Sequence, residues 1–184
     1  RAHTMAARLL FPFFLILLVG SHGAFASVQE TCAKAMEGSE HKNLESFCVT
    51  TLQAAPASAS ADAKGLAVIA TNLTLANYTA AVATIKELQR RGGWSDKQQA
   101  ALATCRRRYI EALNVVHSAV HALATGRKQA YVAEMGAVRR SATDCDGAFG
   151  GGAAAAKRGE APLRKVNDDA ENLTTMAMLI VITL

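Results

Sequence analysis

The sequence predicts an all-α fold, an antiparallel up-down-up-down four-helix bundle preceded by a short helical hairpin. Three observations carry this. No long stretch alternates apolar and polar residues with the two-residue period of a strand. Four long segments instead repeat apolar residues at alternating steps of three and four, and glycines separate them. Only Pro56 and Pro162 interrupt the chain after residue 26.

The N-terminus reads as an export signal. Residues 1–4, ahead of Met5, read as a cloning remnant. Residues 5–26 follow as a signal peptide: basic Arg8, an apolar run over residues 9–19, and a small-x-small end at Ala24-Phe25-Ala26. The apolar run is too short for a membrane span, which needs about 20 residues. Its removal leaves 158 residues, enough for one domain with a core of its own. The formal charge falls from +5 to +3. Arg106-Arg107-Arg108 is the one basic cluster, so a solvated helix face explains the charge better than nucleic-acid binding. No membrane association is expected once the signal is gone.

Residues 27–56 form the expected hairpin, two short arms around a bend near Gly38-Ser39 with Cys32 and Cys48 on them. Pro56 and the Ala/Ser run behind it read as a linker. The bundle occupies residues 57–184. Its first helix is expected over residues 60–91, with Leu66, Ile69, Leu73, Ala76 and Ala80 inward, ended by Gly92-Gly93. Ser95 and Gln98 resemble a capping box for the second helix, which reaches Thr125. Leu102, Cys105, Tyr109, Ala112, Val116, Val120 and Leu123 form its stripe, and Gly126 stops it. The third helix carries Tyr131, Met135, Val138, Ala142, Cys145 and Phe149, before Gly150-Gly151-Gly152. The last carries Leu163, Val166, Ala170, Leu173, Ala177, Ile180 and Leu184.

Four cysteines in an exported chain imply two disulfides, with three connectivities open. Geometry selects among them. Cys105 lies about 21 residues before the Gly126 turn and Cys145 about 19 after it, so at 1.5 Å per residue the two share a height. The pairing is therefore Cys105–Cys145, with Cys32–Cys48 stapling a hairpin whose arms are too short to stay helical alone.

Chemistry is hard to find. No catalytic nucleophile with its base, phosphate-binding loop or metal motif appears, so no enzymatic activity and no cofactor are expected. His117 and His121 stand four apart on one helix, but no Asp or Glu lies between Glu111 and Glu134 to support a metal. Asp168, Asp169 and Glu171 are expected to open the last helix and offset its dipole. Asn72, Asn77 and Asn172 head Asn-x-Thr sequons and are candidate glycosylation sites.

The four cysteines, 40 residues from Cys105 to Cys145, and the runs around them resemble the plant invertase and pectin methylesterase inhibitor family. Ala101-Leu102-Ala103-Thr104-Cys105 with Tyr109 and Ala112-Leu113 is similar to the family's motif at the third cysteine. Met135-Gly136-Ala137-Val138 and Thr143-Asp144-Cys145-Asp146-Gly147-Ala148-Phe149 are similar to that at the fourth. The 16-residue interval from Cys32 to Cys48, with Gly65-Leu66-Ala67-Val68-Ile69-Ala70, resembles the branch holding the plane-tree pollen allergen and cereal invertase-inhibitor-like proteins.

The resemblance implies a secreted inhibitor in a one-to-one complex with a plant acid invertase or a pectin methylesterase, acting by occlusion of the enzyme cleft. It implies the apoplast, with the vacuole as an alternative destination. Invertase is the first expectation and pectin methylesterase the second; a structural or ligand-carrying bundle is the third. A Pro-Lys-Phe motif used by some invertase inhibitors is absent, with Lys128-Gln129-Ala130 in its place. For an invertase the expected contacts are Arg127, Lys128, Gln129 and Tyr131. For an esterase they are Lys86, Gln89 and Arg106.

Overall fold

The computed structural model describes residues 27–150 and 162–184. The expected export signal and Gly151-Gly152 lie outside them. Helices make up the secondary structure of the described residues, without strands.

The hairpin begins with α1 (Val28–Met36). Ser27 and Glu30 form a capping box there, each side chain accepting the other's backbone N–H. After Gly38 and a short 3₁₀ turn, α2 (Glu45–Gln53) returns, and Cys32 and Cys48 join the arms with Cα atoms 5.8 Å apart. Residues 56–60 form a 3₁₀ turn where a plain linker was expected. That turn delays the first bundle helix. α3 (Ala63–Arg91) starts at Ala63, because Asp62 accepts the Gly65 N–H at 2.7 Å as its cap.

Gly92 and Gly93, at φ of +68° and +78°, turn the chain with a backbone that only glycine adopts cheaply. α4 (Asp96–Ala124) follows from the Ser95–Gln98 capping box. α5 (Lys128–Ala148) and α6 (Arg164–Ile182) complete the bundle. In the resulting square α3 packs on α4 and α6, and α5 on the same two, as an up-down-up-down order requires. The hairpin caps the end where α3 starts and α6 stops. α1 lies against α6, and Lys34 Nζ donates to the Thr183 carbonyl at 3.0 Å.

The core is pinned across both diagonals by tyrosine hydroxyls. On the α3–α5 diagonal Tyr131 shares a 2.7 Å hydrogen bond with Thr71, and Tyr78 donates to the Val138 carbonyl at 2.9 Å. Both pairs are separated by 60 residues. A constant offset is the mark of two helices running in the same direction in register. On the α4–α6 diagonal Tyr109 donates to Asn167 Oδ1 at 2.9 Å. The Tyr78 and Tyr109 rings meet at the centre, 5.0 Å between centroids. Burial pushes the Tyr78 and Tyr131 phenols up to about 12, and Tyr109 higher still. Cys105–Cys145 ties α4 to α5, with Cα atoms 4.6 Å apart.

The expected stripes hold for α5 throughout, and for α4 except Val120, which is exposed. They fail in part for α3. Ala76 and Ala80 face solvent, while Ala67, Ala70, Thr74, Tyr78, Ala81 and Ile85 join Leu66 in the core. α3 is rich in alanine on every side, so the small residues do not mark which face is inward. Asp168 and Asp169 also differ from expectation. α6 starts at Arg164, which moves them into the second turn. There they pair with Arg164 and Lys165, four residues earlier, at 3.3 and 2.8 Å.

Candidate functional site

The turn between α4 and α5 is the most sharply defined surface feature among the sequence-derived candidates. Gly126, at φ +71°, closes α4 with a Schellman motif: its N–H bonds Leu123 O at 3.1 Å, and the Arg127 N–H bonds Ala122 O at 2.8 Å. Thr125 Oγ1 donates to His121 O at 2.8 Å and accepts from Arg127 Nε at 3.1 Å. α5 begins at Lys128 without any loop residue left free.

This construction leaves Arg127, Lys128 and Gln129 exposed on a rigid corner. Tyr131 is different. Its side chain is fully buried on Thr71, so it anchors the corner to α3 and offers nothing to a partner. The sequence placed it in the contact segment by proximity; its place on the buried stripe of α5 was the signal against that role.

The corner is cationic, and the chain on either side of it carries no acid. Between Glu111 and Glu134 the only ionisable side chains besides Tyr131 are His117, His121, Arg127 and Lys128, the two histidines exposed on α4. Glu134 is held back by Ser118, whose hydroxyl donates to it at 2.7 Å. Among the described residues no group of three His, Cys, Asp or Glu side chains stands close enough to hold a metal.

Lys86, Gln89 and Arg106 lie towards the opposite end. Lys86 and Arg106 are exposed and Gln89 is half-buried. Arg106 and Arg127 are 21 residues apart, about 31 Å along the helix axis. The structure therefore brings the two candidate groups to different ends of the bundle and not to one patch. Near Arg106, Arg108 pairs with Asp144 at 3.3 Å and with Glu111 at 3.3 Å, and Arg107 approaches Glu111 at 3.9 Å. The basic cluster seen in the sequence is thus largely neutralised, with Arg106 outside those pairs.

Of the sequon asparagines, Asn72 is exposed on α3 while Asn77 and Asn172 are half-buried.

Comparison with known proteins places this architecture. Two solved structures share the fold. A mutant form of a pectin methylesterase inhibitor from Arabidopsis superposes with a TM-score of 0.67 at 21% identity, over 86% of this chain and 97% of that one. A pectin methylesterase inhibitor from Arabidopsis thaliana gives 0.57 at 19% identity, over 75% and 87%. Among curated proteins none matches the sequence significantly. A family model described as plant invertase/pectin methylesterase inhibitor matches residues 26–180. With both disulfides and nearly all of the described residues inside that match, the chain belongs to the plant invertase/pectin methylesterase inhibitor family.

Proposed function

We propose that this protein is a secreted, non-enzymatic inhibitor of a plant acid invertase, which it blocks one-to-one by inserting the α4–α5 corner into the substrate cleft. The observation that carries the reading is the corner itself. It projects Arg127, Lys128 and Gln129 from a Schellman turn, with no carboxylate nearby in sequence. Glycoside hydrolysis uses a pair of carboxyl groups in its cleft. A rigid cationic projection complements such a cleft, and its rigidity lowers the ordering cost of binding. The missing Pro-Lys-Phe motif leaves the cationic role to Arg127 and Lys128. The family supports the apoplast as the site of action, with the vacuole second.

A second reading, inhibition of a pectin methylesterase through Lys86, Gln89 and Arg106, is favoured by the exposure of Lys86 and Arg106 outside the ion pairs that occupy Arg90, Arg91 and Arg108. The third, a ligand-carrying bundle, has less support. The core is filled by three tyrosines and aliphatic side chains, and the groove between α4 and α5 at Thr104, Arg108 and Gly147 opens to solvent.

Titration of the purified protein against an acid invertase and a pectin methylesterase from one plant, at about pH 5, decides between the targets. Invertase activity should fall to zero at equimolar inhibitor while esterase activity stays. Arg127→Glu with Lys128→Glu should weaken inhibition by at least about 100-fold, roughly 3 kcal/mol for two reversed charges at an interface. Loss of esterase activity instead, weakened by Lys86→Glu and Arg106→Glu, would establish the second reading.

A further inference from the structure

The outward face of α3 has an unusual composition for the surface of an extracellular helix. From Gly65 to Ile85 the helix carries no Asp, Glu, Lys or Arg. Its most apolar 18-residue window has a mean hydropathy of 1.4, yet only 44% of that window is buried in the bundle. Val68 is 41% exposed. At 100° per residue, Val68, Ala76, Thr79 and Ala83 all fall within about 40° of Asn72 around the helix. Asn72 thus stands in the middle of an uncharged, solvent-facing strip, and it is itself exposed.

We propose that Asn72 is the glycosylated sequon of this protein and that its N-glycan covers this strip. The donor is an oligosaccharide on a lipid pyrophosphate carrier. Asn72 Nδ2 loses a proton and bonds to the anomeric carbon of the sugar. The anomeric C–O bond to the carrier breaks and the pyrophosphate leaves with the electron pair.

All three sequons end in threonine, so acceptor chemistry does not separate them; the fold does. Asn77 is rotated about 140° around α3 from Asn72. It is half-buried, and its Oδ1 is shut away from solvent without a hydrogen-bond partner. Asn172 is half-buried on α6. A sugar on either would have to be accommodated where the side chain enters a helix seam, whereas one on Asn72 meets only solvent.

The placement sets Asn72 apart from the centre of both candidate contact regions. Lys86 lies 14 residues further along α3, about 21 Å from Asn72. The α4–α5 corner is carried by α5, diagonal to α3 across the square, and by the end of its neighbour α4. The glycan acts as a hydrophilic cover on this strip, which keeps an apolar patch from seeding association.

The proposal rests on export of the chain, and the test uses the full chain, signal included, expressed in leaf tissue. Protein recovered from the extracellular fluid is treated with an amidase that releases N-glycans in heavy-oxygen water. Occupied asparagines become heavy aspartates. Fragmentation of the 65–86 peptide should place the label on Asn72 with Asn77 unlabelled, and the 166–184 peptide should show Asn172 unlabelled. Asn72→Gln should abolish the glycan mobility shift and raise binding of an apolar-surface dye about twofold, while equimolar inhibition of the target enzyme persists. Asn77→Gln and Asn172→Gln should keep the shift. An unlabelled Asn72, or label on Asn77 or Asn172, overturns the proposal. Unchanged dye binding in Asn72→Gln overturns the covering role. Because inhibition is read on the same samples, failure here and failure of the inhibitor reading are separately visible.

Discussion

The hairpin and the bundle are each closed by one disulfide, but the bond does different work in the two regions. In the hairpin it joins two nine-residue helices, shorter than the ~12–15 residues at which isolated helices begin to hold in water. It substitutes for length. In the bundle it joins helices of 29 and 21 residues that already interlock through buried side chains. There it restricts the unfolded chain and fixes relative height. Tyrosine hydroxyl bonds, three of them across the diagonals, occur only in the bundle; the hairpin contains no tyrosine.

Alkaline pH should separate the regions most strongly. All three tyrosines of the chain are buried with phenols raised above the unfolded value of about 10. The folded state therefore holds its protons more tightly than the unfolded state. Stability is complete below pH 10 and is lost as pH rises towards 12, by about 2 kcal/mol each for Tyr78 and Tyr131. Tyrosinate absorbance should appear together with loss of helical circular dichroism. Ionisation well before unfolding would contradict the burial of the network.

Removing the bundle disulfide with Cys105→Ser and Cys145→Ser should lower global stability by about 4 kcal/mol, the chain-entropy value for a 40-residue loop. Urea denaturation reads it. The hairpin pair, Cys32→Ser with Cys48→Ser, should cost about 3 kcal/mol, concentrated locally. Amide exchange should accelerate across residues 28–53 while residues 63–148 keep their protection. Uniform loss of protection would show that the two regions unfold as one. Smaller still are single hydroxyls. Tyr109→Phe strands Asn167 Oδ1 and should cost about 1–3 kcal/mol, whereas Tyr131→Phe should cost about 1 kcal/mol, since the Thr71 hydroxyl keeps the Ala67 carbonyl at 2.7 Å.

Helix order, both disulfides and the buried stripe of α5 were legible in the sequence because glycine turns and large apolar residues mark them. The inward face of α3 was not. Alanine and threonine occupy both of its sides, and only packing against Tyr131 of α5 and Tyr109 of α4 chooses between them. The stripe from Leu163 located α6, but Asp168 and Asp169 were read as its opening, whereas Arg164 and Lys165 use them as ion-pair partners one turn in. The exposure of Arg127, Lys128 and Gln129 was readable from the turn. The inward rotation of Tyr131 required its helix period to outweigh its neighbourhood in the chain.

The shared 60-residue offset of Thr71–Tyr131 and Tyr78–Val138 makes the segments 71–78 and 131–138 equal in length by necessity. One inserted residue in either would slide its downstream partner by about 1.5 Å and swing it through about 100°, undoing one bond while sparing the other. Viable insertions and deletions should therefore collect outside these two windows, or strike both at once. The bundle measures its own helices against each other, and its tolerance for changes in length is set by that internal ruler.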